Sequence, residues 1–168
     1  MKRVQVPKEL NHSFFFEQNK EIDIKSEIEE MNFIYEIYFY NGIPAPKPWI
    51  HPNEALPKLL EKWTSKKEEL TLLHQKMDQK TIEEDMKKGI GLFIQFLFWS
   101  NDCPVRLDQS IHLEQLPYHP VNIRERLEFI ILKPKLYHSF VQLSELIEEQ
   151  RKHYVKKSII KKSSQSKN

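Results

Sequence analysis

Glycine is nearly missing from this chain, with three residues in 168. The tight turns of β-sandwiches and barrels need backbone at positive φ, which glycine adopts most readily. So small a supply argues against an all-β fold. Cysteine is also scarce. Cys103 stands alone, which rules out a disulfide within the chain and fits a reducing compartment. Long hydrophobic runs are absent too. The longest apolar stretch, Ile90–Trp99, is broken by Gly91 and Gln95. It falls well short of the roughly 20 residues that span a bilayer and suits a buried core helix instead. The residues after Met1 are basic, but no apolar run follows them, so no secretory leader is expected. These absences together predict a cytoplasmic protein with no membrane span.

Acidic residues are missing from one place only. From Gln150 to the end there are seven Lys/Arg and no Asp or Glu. The preceding residues hold the other 19 of the 26 basic residues and all 24 acids. A body near −5 is thus joined to a tail of +7, although the net charge is only +2. Such asymmetry points to an anionic partner for the tail. The rest of the composition is that of one folded domain: 39% hydrophobic, 11% aromatic and 30% charged, rich in Glu, Lys, Leu and Gln, which favour helix.

The pattern along the chain predicts helices joined by Pro-rich connections. Residues 1–23 are weakly patterned, but Phe14-Phe15-Phe16 is too apolar to stay in water, so this arm is expected to pack on the body. Ser26 and Glu29 offer a capping box. Ile28, Met31, Ile34, Tyr35, Tyr38 and Phe39 then recur at helical spacing up to Asn41-Gly42. Pro44, Pro46, Pro48 and Pro52 make an extended connection. Asn53 is placed to cap a second helix, with Pro57 in its first turn and Leu56, Leu59, Leu60 and Trp63 as its stripe. Thr64 or Ser65 would cap a continuation through Leu70, Leu73 and Met77. Thr81 and Glu84 form another capping box, opening the most apolar helix, Ile82–Ser100. Its Ile90, Phe93, Ile94, Leu97 and Phe98 cover more than one stripe, so it belongs at the centre. Pro104, Pro117 and Pro120 mark a long connection. Asn122 would cap Ile123–Leu132. After Pro134 a last helix shows Leu136, Phe140, Leu143, Ile147 and Tyr154 on one face. The expected fold is all-α: a compact bundle of about five or six helices around one central apolar helix. Residues 1–155 would form a single domain and residues 156–168 a basic, disordered tail.

No catalytic signature emerges from the residues that carry chemistry. The seven histidines never fall at His-x-x-x-His spacing. Cys103, His112 and His119 share one Pro-rich region but lack the paired cysteines of a structural zinc site. Cys103 follows a helix C-terminus, the wrong pole for lowering a thiol pKa, so a packed, inert cysteine is expected. Paired carboxylates such as Glu68-Glu69 and Glu83-Glu84 read as solvated helix faces. Gly89 and Gly91 complete no phosphate-binding fingerprint, and Gly89 suits a close helix–helix contact. Trp49, Trp63, Trp99 and Tyr118 read as core aromatics at helix ends. No metal or other cofactor is expected. The basic end is different. Arg151, Lys152, Lys156, Lys157, Lys161 and Lys162 ring a helix instead of sharing a face: Lys152 and Lys156 lie about 40° apart, and Lys161 points opposite. A ring of charge suits sequence-independent contact with phosphates or with an anionic membrane surface, and equally a solvated end.

The segment Gly91-Leu92-Phe93-Ile94-Gln95-Phe96-Leu97-Phe98-Trp99, running into Ser100-Asn101-Asp102-Cys103-Pro104-Val105, resembles the YpoC-like family of uncharacterised proteins from bacilli and relatives. Asn122-Ile123-Arg124-Glu125-Arg126-Leu127 and the start of the chain agree with it. The resemblance covers most of residues 1–155. It implies a small helical cytoplasmic protein of a Gram-positive bacterium and carries no catalytic residues across. It also implies genes often encoded beside those for DNA repair and replication initiation, which tilts the anionic partner towards nucleic acid. The expected function is therefore a non-enzymatic binding or adaptor protein. A protein partner would meet its body, and a weak, sequence-independent nucleic-acid contact would be made by its basic end. Two alternatives stay open: an enzyme with a site around Trp49, Trp99, Cys103 and His119, and a peripheral binder of anionic membrane. The sequence leaves the oligomeric state open.

Overall fold

The computed structural model describes residues 2–16, 21–24, 31–108 and 113–166. Five α-helices are found among them: α1 (Ile34–Tyr40), α2 (Pro52–Lys76), α3 (Gln79–Trp99), α4 (Ile123–Leu132) and α5 (Tyr137–Ser166). The fold is predominantly helical and compact, as expected. The arm carries a short sheet that its weak patterning did not predict. Strands β1 (Lys2–Gln5) and β2 (Glu21–Ile24) pair antiparallel, with Val4 opposite Ile22. Val4 is buried, and Ile22 and Ile24 pack against the core, so alternate residues of this short ribbon face inward.

Helix α3 lies at the centre. Every residue from Gly89 to Ser100 is buried, and α2, α4 and α5 all pack on α3. A helix apolar on all sides has no stable place except among others. At Gly89 an added Cβ would sit 3.1 Å from both Trp63 of α2 and Leu143 of α5. The missing side chain is what lets three helices meet there.

The helix ends depart from expectation. Helix α2 is unbroken: Thr64 does not cap a second segment but donates its hydroxyl to the Leu60 carbonyl at 2.9 Å. Its first residue is Pro52, and His51 occupies the N-cap position without a side-chain bond. Asn53, the expected cap, accepts the Tyr154 hydroxyl instead. Pro57 lies inside the helix, beyond its first turn. Helix α3 begins at Gln79, ahead of the expected Thr81 cap. Asp78 caps it, accepting from the Thr81 backbone N–H at 3.3 Å and the Thr81 hydroxyl at 2.8 Å. Met77 ends α2 in the left-handed region, at φ 57°, so the joint between α2 and α3 is only Met77 and Asp78.

The Ser26–Glu29 capping box and Ile28 lie outside the described residues, and α1 is short. Its buried residues are Ile34, Glu36 and Ile37, preceded by fully buried Phe33. The expected face included Phe39, which is exposed. Gly42 stops α1 at φ +69°, as expected of Asn41-Gly42. Helix α4 has its expected bounds, but Asn122 takes a left-handed φ and makes no side-chain cap. In α5, Phe140, Leu143, Leu146 and Ile147 are buried, whereas Leu136 precedes the helix and is exposed. The helix continues to Ser166, well past the tail boundary expected at residue 156. Phe14, Phe15 and Phe16 lie half-buried against the core, with Phe15 edge-on to Phe33 at 5.0 Å.

Candidate functional site

The carboxyl end of α3 organises the surface on which the basic residues sit. A helix C-terminus exposes carbonyls and the negative end of the macrodipole. Here Ser100, Asn101 and Asp102 turn the chain, and side chains close the end. Asn101 Nδ2 donates to the Leu97 and Tyr118 carbonyls, both at 2.7 Å, and its Oδ1 accepts from the Tyr118 N–H at 2.9 Å. From α5, fully buried Gln150 donates to Ser100 Oγ at 2.8 Å and to the Tyr118 carbonyl at 3.0 Å. Lys157 completes the closure. Its ammonium donates to the Ser100 carbonyl at 2.7 Å and to Asp102 Oδ2 at 2.5 Å, 5.7 Å from the centre of the Tyr118 ring.

The six cations of the expected phosphate-binding end therefore divide. Lys157 holds the end of α3. Arg151 grips both carboxylate oxygens of Glu148, at 3.0 and 2.5 Å. Lys152, Lys156, Lys161 and Lys162 are exposed. Lys161 and Lys162 join Lys157 along a cleft of about 500 Å³ between α5 and the start of α2, with His51, Glu54 and Tyr154 also lining it. Glu148 stands three positions before Arg151, a spacing visible in the sequence, whereas the partners of Lys157 lie 57 and 55 positions away.

The residues of the alternative enzyme site each have a partner of their own. Trp49 packs edge-on to Phe39 at 5.2 Å. His119 Nδ1 lies 2.9 Å from the Pro120 carbonyl. The Cys103 thiol donates to the Phe98 carbonyl at 3.4 Å. Burial, reinforced by the charge of Asp102, pushes that thiol up to about 11, which leaves it protonated at neutral pH. The Trp99 indole N–H donates at 2.9 Å to Glu36.

Glu36 is the residue that sequence reasoning missed. It is fully buried. Its Oε2 takes the Trp99 bond and a longer one, 3.5 Å, from the Val105 N–H, while Oε1 has no partner among the described residues. Burial raises its pKa to about 7, although both hydrogen bonds pull the other way. A signal was present in the sequence. At three and four residues on either side of Glu36 stand Asn32, Phe33, Phe39 and Tyr40, so no lysine or arginine was placed to pair with it along the helix.

Among the described residues, no group of three or more His, Cys, Asp or Glu is placed to hold a metal ion; His112 lies outside them. No helix among the described residues is long and apolar enough to cross a membrane.

Among the described residues, five helices with α3 buried at their centre, and cations around the last turns of α5, define a small helical protein. The chain belongs to the YpoC-like protein family, whose profile matches residues 53–162. The match runs from the first turn of α2 into the cationic turns of α5, and it contains the segments at 91–105 and 122–127 that carried the resemblance. The chain is 33% identical over 141 residues to Uncharacterized protein YpoC of Bacillus subtilis (strain 168), covering 83% of this chain and 85% of that protein. No solved structure matches it.

Proposed function

We propose that this protein is a non-enzymatic binding protein whose C-terminal turns make weak, sequence-independent contact with nucleic-acid phosphates. One observation carries the reading. Lys152, Lys156, Lys161 and Lys162 stand exposed on a helix that has no acid after Glu149. Cations spread around a helix neutralise phosphates without presenting a base-reading face, so affinity comes from counterion release. Engaging about four phosphates gives a log–log salt slope near −3.6 on duplex DNA and near −2.8 on single strands.

The test is fluorescence anisotropy of labelled duplex and single-stranded DNA across a salt series. The variant combines Lys156→Glu, Lys161→Glu and Lys162→Glu. Lys157 is left intact because it closes the end of α3. Binding should be indifferent to sequence and lost in the variant, with helicity and melting temperature unchanged. Binding by the variant equal to that of the parent, or none by the parent at low salt, sinks the proposal. Anionic vesicles in a parallel titration distinguish a membrane surface from nucleic acid.

A second observation supports the adaptor part of the reading. Met77 is 79% exposed and Tyr137 61%. The two sit where the end of α2 meets the start of α5, with the His74 and Tyr137 rings 5.3 Å apart. Large apolar side chains gathered at one end of a bundle suit a protein partner.

A further inference from the structure

On the other side of the first turn of α2 lies a second cavity, of about 560 Å³. It shares Ile50, His51 and Glu54 with the basic cleft. Tyr35 of α1 and Trp99 of α3 line it, with Leu59 and Leu92 as further apolar wall. Gln95 also lines it and is only 4% exposed. This amide stands in the most apolar stretch of the molecule and makes no hydrogen bond among the described residues. The amide is open to the cavity and not sealed in the core, so it is left for water or a ligand to bond. Lys47, Lys58 and Lys62 also line the cavity, and Glu54 is the one acid among its described lining residues.

We propose that this cavity binds a planar, hydrogen-bonding organic anion of nucleoside-monophosphate type. The parts match that chemistry. Gln95 carries a donor and an acceptor side by side, the complement of a heterocycle's amide-like edge. Trp99 is 3% exposed and its N–H is committed to Glu36, so half-buried Tyr35, edge-on to it at 6.2 Å, is the ring a planar ligand can reach. Aromatic side chains are platforms for planar bases. Lys47 and Lys58, both exposed, supply charge-assisted contacts for the anionic group. The volume lies within the usual range for small-molecule sites. The assignment does not depend on the phosphate contact of α5, because different residues carry it.

The experiment is a calorimetric titration of the full chain with AMP, CMP, GMP and UMP in turn, and with the corresponding nucleosides. At least one nucleotide should bind one-to-one, and its nucleoside about tenfold or more weaker. Lys47→Glu with Lys58→Glu should weaken the nucleotide by at least the same factor and leave melting unchanged. Gln95→Leu should weaken nucleotide and nucleoside alike, by about tenfold or more, because both use its amide. If that variant fails to fold, the lysine pair still decides the matter. Lys161→Glu with Lys162→Glu should leave nucleotide affinity unchanged, which separates this site from the basic end. No saturable binding of any of the four at millimolar concentration, or affinity indifferent to the lysine pair, overturns the proposal. A short oligonucleotide that competes with the bound nucleotide identifies a strand as the ligand's source, and one that does not identifies the free nucleotide.

Discussion

A carboxyl group taken out of water without a cation beside it resists ionisation, and Glu36 is in that position. Among the described residues its hydrogen-bond partners are the Trp99 indole and the Val105 amide. With a folded pKa of about 7 against an ordinary 4.5, the folded chain holds a proton that the unfolded chain has already released. Stability from this group is therefore fully present below pH 4.5 and is lost as pH rises through about 7. The shift corresponds to about 3 kcal/mol. Urea unfolding at a series of pH values should show stability falling across this window. Glu36→Gln, which keeps an oxygen for the Trp99 N–H, should flatten that slope and be the more stable protein at pH 8. An unchanged slope in the variant would show that another group controls it. That the Cys103 thiol would not be lowered was legible from its place after a helix C-terminus, but what raises it is burial, with the charge of Asp102 beside it. Glu36 and Lys157 were less legible because their state depends on what faces them in space. Glu36 meets an indole 63 positions away in sequence, and Lys157 a carbonyl 57 positions away.

Helix α3 shows which elements a sequence declares. Its composition alone required burial on all sides, and Phe93 and Leu97 are both fully buried. Phe93→Ala and Leu97→Ala should each cost about 2–5 kcal/mol in denaturant unfolding, through lost burial and the cavity left behind. Variants melting with the parent would be incompatible with a central α3. Its beginning was less legible. Thr81 with Glu84 has the form of a capping box, but Met77 turns left-handed and leaves Asp78 as the first residue able to cap. The competing signal lay three positions upstream. Thr64 failed as a cap for the related reason that its hydroxyl bonds back to the preceding turn. The β1–β2 ribbon was missed because a four-residue strand offers too few alternations to register as a pattern.

The whole molecule is organised by the separation of its charge and by the order in which its helices follow one another. The first was plain in the sequence, and the second only in outline: one apolar helix at the centre, with others around it. What joins to what was hidden. Tyr154 of α5 reaches Asn53 at the start of α2, and Gln150 reaches the end of α3. The two-residue joint at Met77 and Asp78 has a consequence for how the chain finds this arrangement. Helices α2 and α3 meet through contacts that are short in sequence, with little loop entropy to overcome. The contacts of α5 with α3 close loops of 50 residues or more. The α2–α3 hairpin should therefore form the folding nucleus, with α5 docking after the barrier. In stopped-flow kinetics, Leu70→Ala and Ile82→Ala, on the two sides of the joint, should chiefly slow folding. Leu146→Ala in α5 should chiefly speed unfolding. If Leu146→Ala instead slows folding as much as the hairpin variants do, the long closure is part of the nucleus, and the chain assembles from its distant segments first.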